Sequence, residues 1–392
     1  MGVKMENLEK ELEKRVWPEK PKYTVKRYIP YVTYGRIENR SLRLFQSLSE
    51  PIPPEECAIT SLCRGKNRKI YGATSGRRSH LFYYSFSPEG DGVCDIGIIE
   101  GAKSIKNSLC VDKNGIIWGG VSEGEKGFIF RYDTSKDFSA EYGTTSGKIE
   151  IVIQPFSDEF ILCLICDEKR NVLYGISSEN GYLFLYDIEK NEVSIKGQID
   201  KNKLFSPVLV MDEKGNVYCC GAFGQLKKYN IDEDKFEELP LYIPSIQGRS
   251  FYNRLSAGVY NEYDGFIYLG TSGDGILSAF NPENNFIRTI GKITAESEIN
   301  ALTCGNDGIV YGICGERDGM AHLFSYDPDN YSLNYLGIPY ATSEIPWHGY
   351  EFSCACTGEF GEIYLGESDR ISHLFIYFPP IKKRKKEIKN GI

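Results

Sequence analysis

Along most of the chain, apolar and polar residues alternate in short runs broken by Asx-Gly and proline turns, the pattern of antiparallel strands joined as hairpins. One run recurs as a short apolar pair followed by an aromatic and usually a glycine. It reads Lys69-Ile70-Tyr71-Gly72, Ile116-Ile117-Trp118-Gly119, Val172-Leu173-Tyr174-Gly175, Asn216-Val217-Tyr218, Phe266-Ile267-Tyr268, Ile309-Val310-Tyr311-Gly312 and Glu362-Ile363-Tyr364. These seven copies lie 43 to 56 residues apart. Around each aromatic the same order returns: an apolar strand, a turn such as Asp112-Lys113-Asn114-Gly115, the aromatic strand, a Gly/Ser loop, and a third strand such as Leu183-Phe184-Leu185-Tyr186. A second turn such as Asp327-Pro328-Asp329-Asn330 then leads to a fourth strand such as Asn334-Tyr335-Leu336-Gly337. We call these strands a to d.

Four strands repeating at this period are the spacing of a propeller blade. Over residues 41 to 380 the chain resembles β-propeller repeat proteins in architecture. The expected fold is therefore all-β, a seven-bladed β-propeller of four-stranded antiparallel blades. The last copy stops at Pro380 after strand c, and Ser41 to Gln46 is the segment expected to supply its fourth strand and close the ring, removing open edges. Residues 1–20 are expected to form a charged helical extension with its helix at Glu6 to Val16, residues 21–380 the propeller, and residues 381–392 a basic, solvated tail. The Gly-His and Trp-Asp pairs of WD repeats and the paired glycines of kelch repeats are absent, so the partners of neither family carry over.

Composition narrows the function classes. Tyr, Phe and Gly are abundant at 27, 21 and 40 residues, which suits strands and tight turns. A net charge of -8 argues against binding duplex nucleic acid. Met1 to Trp17 has no apolar signal-like core, and no stretch is long and apolar enough to span a membrane. Twelve cysteines in 392 residues fit reduced thiols, so the expected location is cytoplasmic, with no membrane partner. Cys63, Cys110, Cys166, Cys304 and Cys356 recur in strand a, where small apolar side chains fit the narrow axis. No P-loop, dinucleotide glycine fingerprint or Gly-x-Ser-x-Gly elbow stands in a suitable context.

Antiparallel pairing puts the a-b and c-d turns on one face of the disc and the b-c and d-a loops on the other. The first face carries short acidic turns and the basic run Arg64, Lys66, Arg68 and Lys69, read as solvated. The second is irregular. Its b-c loops hold Arg77, Arg78 and His80 in blade 1, Glu316, Arg317 and His322 in blade 6, and Asp369, Arg370 and His373 in blade 7. The d-a loop entering blade 7 adds Glu344, Trp347, His348, Tyr350 and Glu351, and that entering blade 5 adds Arg249, Phe251, Tyr252 and Arg254. Ring closure would make blades 6, 7 and 1 consecutive.

Guanidinium forks match carboxylates and aromatic faces take flat apolar surfaces, so this face suits an anionic, ring-shaped ligand such as an acidic saccharide. In residue type it resembles the propeller-fold polysaccharide lyases. That resemblance implies an arginine neutralising a uronate carboxylate while histidine or tyrosine moves the proton, although no family motif aligns. The expected roles are His348 or Tyr252 as base, Tyr350 as acid, and Arg254 or Arg249 as carboxylate clamp. Arg77, Arg78, His80, Arg317, His322, Trp347, Arg370 and His373 are expected to contact the ligand. His80, His322 and His373 all precede Leu-Phe at the start of strand c, which equally fits hydrogen bonds within a turn. No metal site is assigned and no cofactor is required; a divalent ion would need one of the three repeat histidines together with His348 or Glu351. Two alternatives stand beside the saccharide reading: a non-catalytic scaffold that binds a protein partner, and a metal-dependent lyase or isomerase.

Overall fold

The computed structural model describes residues 31–32, 34–42, 52–87, 90–137, 147–246, 248, 251–316, 319–343 and 345–380. The alternating runs become seven four-stranded antiparallel sheets, and in six of them the strands follow one another in chain order. Blade 1 consists of Ala58–Arg64, Ile70–Ser75, Ser79–Ser87 and Gly90–Ile99. Strand a is Leu109–Val111 in blade 2, Ile161–Asp167 in blade 3, Ser206–Met211 in blade 4, Arg254–Asn261 in blade 5 and Ile299–Cys304 in blade 6. Blade 7 takes Phe352–Thr357, Ile363–Glu367 and His373–Phe378 from the end of the chain and its fourth strand, Arg36–Ser41, from the beginning.

The closing strand lies upstream of its expected place at Ser41 to Gln46. Only Ser41 is shared, and residues 43–46 fall outside the described residues, as do Glu6 to Val16 and the basic tail. The reason is chemical. The buried positions of this strand include Asn39 and Arg40, which give no apolar alternation to read. Asn39 Nδ2 donates to the Ile345 carbonyl at 2.8 Å, and Arg40 donates to the Asn39 carbonyl at 2.7 Å while pairing with Glu38 and Asp91.

Three repeated contacts explain the recurring motif. First, the strand-b aromatic is buried and turns its polar edge to the acid of the preceding a-b turn. Trp118 Nε1 donates to Asp112 at 3.0 Å, Tyr218 Oη to Asp212 at 3.0 Å and Tyr364 Oη to Glu362 at 3.0 Å. The acidic turns on that face thus satisfy buried hydroxyl and indole groups. Second, the glycine after the aromatic faces the strand-c phenylalanine: a Cβ on Gly312 would sit 2.3 Å from Phe324, and Gly72, Gly119 and Gly175 are likewise closed by Phe82, Phe130 and Phe184. Third, each strand-b aromatic meets a strand-c aromatic of the next blade. Around the ring these are Tyr71–Tyr132, Trp118–Tyr186, Tyr174–Tyr229, Tyr218–Phe280, Tyr268–Tyr326, Tyr311–Tyr377 and Tyr364–Tyr84, with centroids 5.4 to 6.3 Å apart. Each such pair contributes about 0.5–1.5 kcal/mol beyond its buried area.

Near the axis, strand a carries a bulge at corresponding points, so Thr60, Leu162, Ser256, Asn300 and Ser353 are extra residues. Several bulge hydroxyls tie one blade to the next: Thr60 Oγ1 donates to Ile105 O at 2.7 Å, Ser256 Oγ to Ile299 O at 2.8 Å, and Ser353 Oγ to Ile59 O at 2.8 Å. The last joins blade 7 to blade 1, and the ring is closed. Strands a surround an axial cavity of about 280 Å³.

Candidate functional site

The b-c and d-a loops gather on one face, as antiparallel pairing requires. There the charged residues of blades 7 and 1 meet carboxylates. Arg78 donates to Glu56, with Nε 3.1 Å from Oε1, and His80 sits between Glu56 (Nε2–Oε2 3.0 Å) and Asp95 (Nδ1–Oδ2 2.9 Å). His80 is only 4% exposed. Burial opposes charge on its ring, but Asp95 and Glu56 outweigh that and hold its pKa above the ordinary histidine value. Burial would likewise raise Glu56, yet Arg78 and His80 bring it below the usual carboxylate range. Glu55 bridges Arg77, 3.6 Å away, and Arg370, an ion pair that links blade 1 to blade 7.

A second cluster lies inside blade 7. His373, 1% exposed, places Nδ1 3.0 Å from Glu367 Oε2, and Trp347 Nε1 donates to the other oxygen at 3.0 Å. Burial raises the Glu367 pKa. In blade 6, His322 Nδ1 lies 3.0 Å from the Tyr335 hydroxyl, and Nε2 lies 3.6 Å from Glu296; burial lowers its pKa. His348 packs on Tyr340 and Tyr31 at 4.5 and 5.2 Å, with Tyr350 at 6.4 Å, and its Nδ1 is buried without a hydrogen-bond partner. Tyr252 touches Phe251 instead, and among the described residues neither a ring contact nor a hydrogen bond joins it to His348 or Tyr350. Arg249, Arg317 and Glu344 lie outside the described residues. Among the described residues no three His, Cys, Asp or Glu side chains are grouped to hold a metal, so His348 and Glu351 belong to no such group.

The sequence pattern does not mark the groups that shape the rest of this face. Phe223, in the b-c loop of blade 4, adopts a left-handed backbone (φ 56°) and holds its ring against Phe251 at 5.9 Å, with Tyr252 a further 5.2 Å along. Their exposures are 45%, 60% and 71%. A non-glycine left-handed residue leaves no trace in hydrophobic periodicity. Beside the axis, Arg254, Ser272, Glu298 and Asn300 line a cavity of about 420 Å³. Burial and the neighbouring Glu316 push the Glu298 pKa up, and Asn300 Oδ1 is buried with no donor facing it.

Fold and face together define a seven-bladed β-propeller with one ordered turn face and one irregular loop face. No family model matches the chain, and no curated protein does. Among solved structures it is similar to a streptogramin B lyase (11% identity, TM-score 0.64), covering 88% of this chain and 99% of that one. It is also similar to the extracellular domain of a protein described as a hybrid two component system, BT4673 from B. thetaiotaomicron (14% identity, TM-score 0.62). That match covers 89% of this chain but spans only 40% of the other. The WD40 repeats of RRP9 align at 13% identity and a TM-score of 0.56, over 87% and 97% of the two chains. At these identities the likeness is one of fold.

The comparison overturns the expected cytoplasmic location, because two similar structures are extracellular domains. The thiol argument fails for a physical reason. Burial raises the Cys63, Cys163 and Cys354 pKa values to about 12, and thiols that cannot ionise stay reduced without reporting their compartment. Among the described residues no helix is long and apolar enough to cross a membrane.

Proposed function

We propose that this protein is a non-catalytic binding propeller that docks a protein partner on its b-c/d-a face. The observation that carries this reading is the ridge of Phe223, Phe251 and Tyr252. Three exposed aromatic rings in a row, with Phe251 touching both Phe223 and Tyr252, are the composition of an interface anchor, which forms best where rigid rings enter a partner's pocket. The groups that a catalytic reading would call on in blades 7 and 1 are committed elsewhere: Arg78 and His80 contact the buried Glu56, His373 the buried Glu367, and Arg370 the exposed Glu55. Such pairs hold loops in place.

The test is photo-crosslinking in the native host from a benzophenone-bearing phenylalanine in place of Phe223, within the ridge. A single crosslinked partner is expected, and Phe251→Ser with Tyr252→Ser should reduce its yield at least tenfold without shifting the melting temperature. A partner captured equally well by the double variant removes the ridge from the reading.

A second reading, binding or β-elimination of a uronate-containing saccharide, is favoured by one observation: exposed Tyr252 adjoins Arg254, whose guanidinium has no carboxylate within ion-pair distance among the described residues. Incubation with uronate oligosaccharides should then generate the unsaturated uronate chromophore, and Arg254→Gln should abolish it. Absence of both chromophore and binding dismisses this reading.

A further inference from the structure

The cavity beside the axis has two electrical poles. Arg254 opposes Ser272 across strands a and b of blade 5, and Ser272 in turn bridges to Glu298 at the entry to blade 6. Arg254 and Glu298 therefore flank one residue, with backbones about 10 Å apart at two strand spacings. Both line the same cavity. The two charges do not neutralise each other. Arg254 spends Nη1 on the Phe251 and Asn253 carbonyls, each at 3.0 Å, and among the described residues Nε and Nη2 have no partner. Among the described residues no cation pairs with Glu298 and no carboxylate pairs with Arg254.

Asn300, the bulge residue of blade 6, supplies the second observation. Its counterparts Thr60, Ser256 and Ser353 spend their hydroxyls on a carbonyl of the next blade. Asn300 Oδ1 is buried and accepts nothing, although leaving a buried acceptor unmatched is costly. It lines both the cavity beside Arg254 and an adjoining one bordered by Glu298, Glu316 and Tyr350. An acceptor left open beside an unpaired carboxylate is suited to a ligand that brings hydrogen-bond donors and positive charge. A guanidinium fork on the opposite wall is suited to a carboxylate.

We propose that this cavity binds a small zwitterion of the α-amino-acid type, its carboxylate on Arg254 and its ammonium between Glu298 and the Asn300 carbonyl oxygen. Phe205 and the exposed Pro207 give the remaining wall an apolar surface for the ligand's side chain. The cavity of about 420 Å³ accommodates a ligand with an aliphatic or aromatic side chain. This site goes beyond partner docking on the aromatic ridge and does not depend on it. It also differs from a uronate site, which would need Arg254 and be indifferent to Glu298.

The experiment is calorimetry on the full chain with the standard L-amino acids, each beside the primary amine and the carboxylic acid that lack one of its two charges. At least one amino acid should bind, and both single-charge analogues should bind at least tenfold more weakly. Arg254→Gln and Glu298→Gln should each weaken the amino acid at least tenfold, while the unliganded melting temperature stays within the error of wild type. Arg254→Lys, which keeps the charge and loses the fork, should fall between. Four results would each overturn the proposal: no amino acid binds; an amine alone binds as well; an acid alone binds as well; or the two neutralising variants destabilise the unliganded protein with an energy that couples in the double variant. The last would mean that Arg254 and Glu298 serve each other in solution.

Discussion

His80 illustrates how a side chain that looks reactive in sequence can be structural in place. Two carboxylates clasp it, so the charged ring is favoured in the folded chain, with a pKa above the unfolded value near 6.5. The sign of the pH effect follows. Below about 6.5 both folded and unfolded rings are charged and the stabilisation is fully present; it is lost as pH rises through the higher folded value. His80→Gln leaves Glu56 and Asp95 without that charge and should lower stability by about 3 kcal/mol at pH 6. In urea titrations the gap to wild type should narrow steadily above neutrality, and a gap that widens with pH would refute the assignment. The sequence shows His80 and its repeat position but not its partners. Glu56 lies in the loop entering the blade and Asp95 in strand d, and no local pattern joins either to a histidine 15 or 24 residues away.

At the scale of strands, the blade was readable because its signals are redundant. The aromatic, the following glycine and the phenylalanine of strand c are one contact written in three places, and the structure repeats it in blades 1, 2, 3 and 6. The closing strand was not readable because its inward side is polar. Its stability rests on Arg40, which joins Glu38 and Asp91 and so fastens blade 7 to blade 1. Arg40→Ala strands two partly buried acids, at a cost of about 1–3 kcal/mol. Hydrogen exchange should then accelerate selectively over residues 373–378, the strand whose edge Arg36–Ser41 covers. Uniform acceleration in all blades would show that the strand is not a separate unit of opening.

The whole ring places its thiols in the wedge between blades. Cys110 and Cys166 pack in one apolar cluster across the junction of blades 2 and 3, and the hydrogen bond with Cys166, together with burial, raises the Cys110 pKa. A thiol reagent should therefore modify Cys63, Cys163 and Cys354 only at the rate of global unfolding measured by intrinsic fluorescence, and rapid labelling of the native protein would show that the wedges open on their own. Function is less legible at this scale than fold. Ring geometry follows from periodicity, whereas Arg254, Ser272 and Glu298 come together through a single bridge between two blades.

The mixed parentage of blade 7 bears on how the protein is made. Arg36–Ser41 leaves the ribosome long before His373–Phe378, a delay on the order of tens of seconds at ordinary elongation rates. For that interval both the early segment and the nascent first blade wait without their neighbour. In a crowded polysome, a finished strand His373–Phe378 can then recruit the waiting segment of an adjacent copy, so exchanged dimers are the characteristic misassembly to look for when expression is fast.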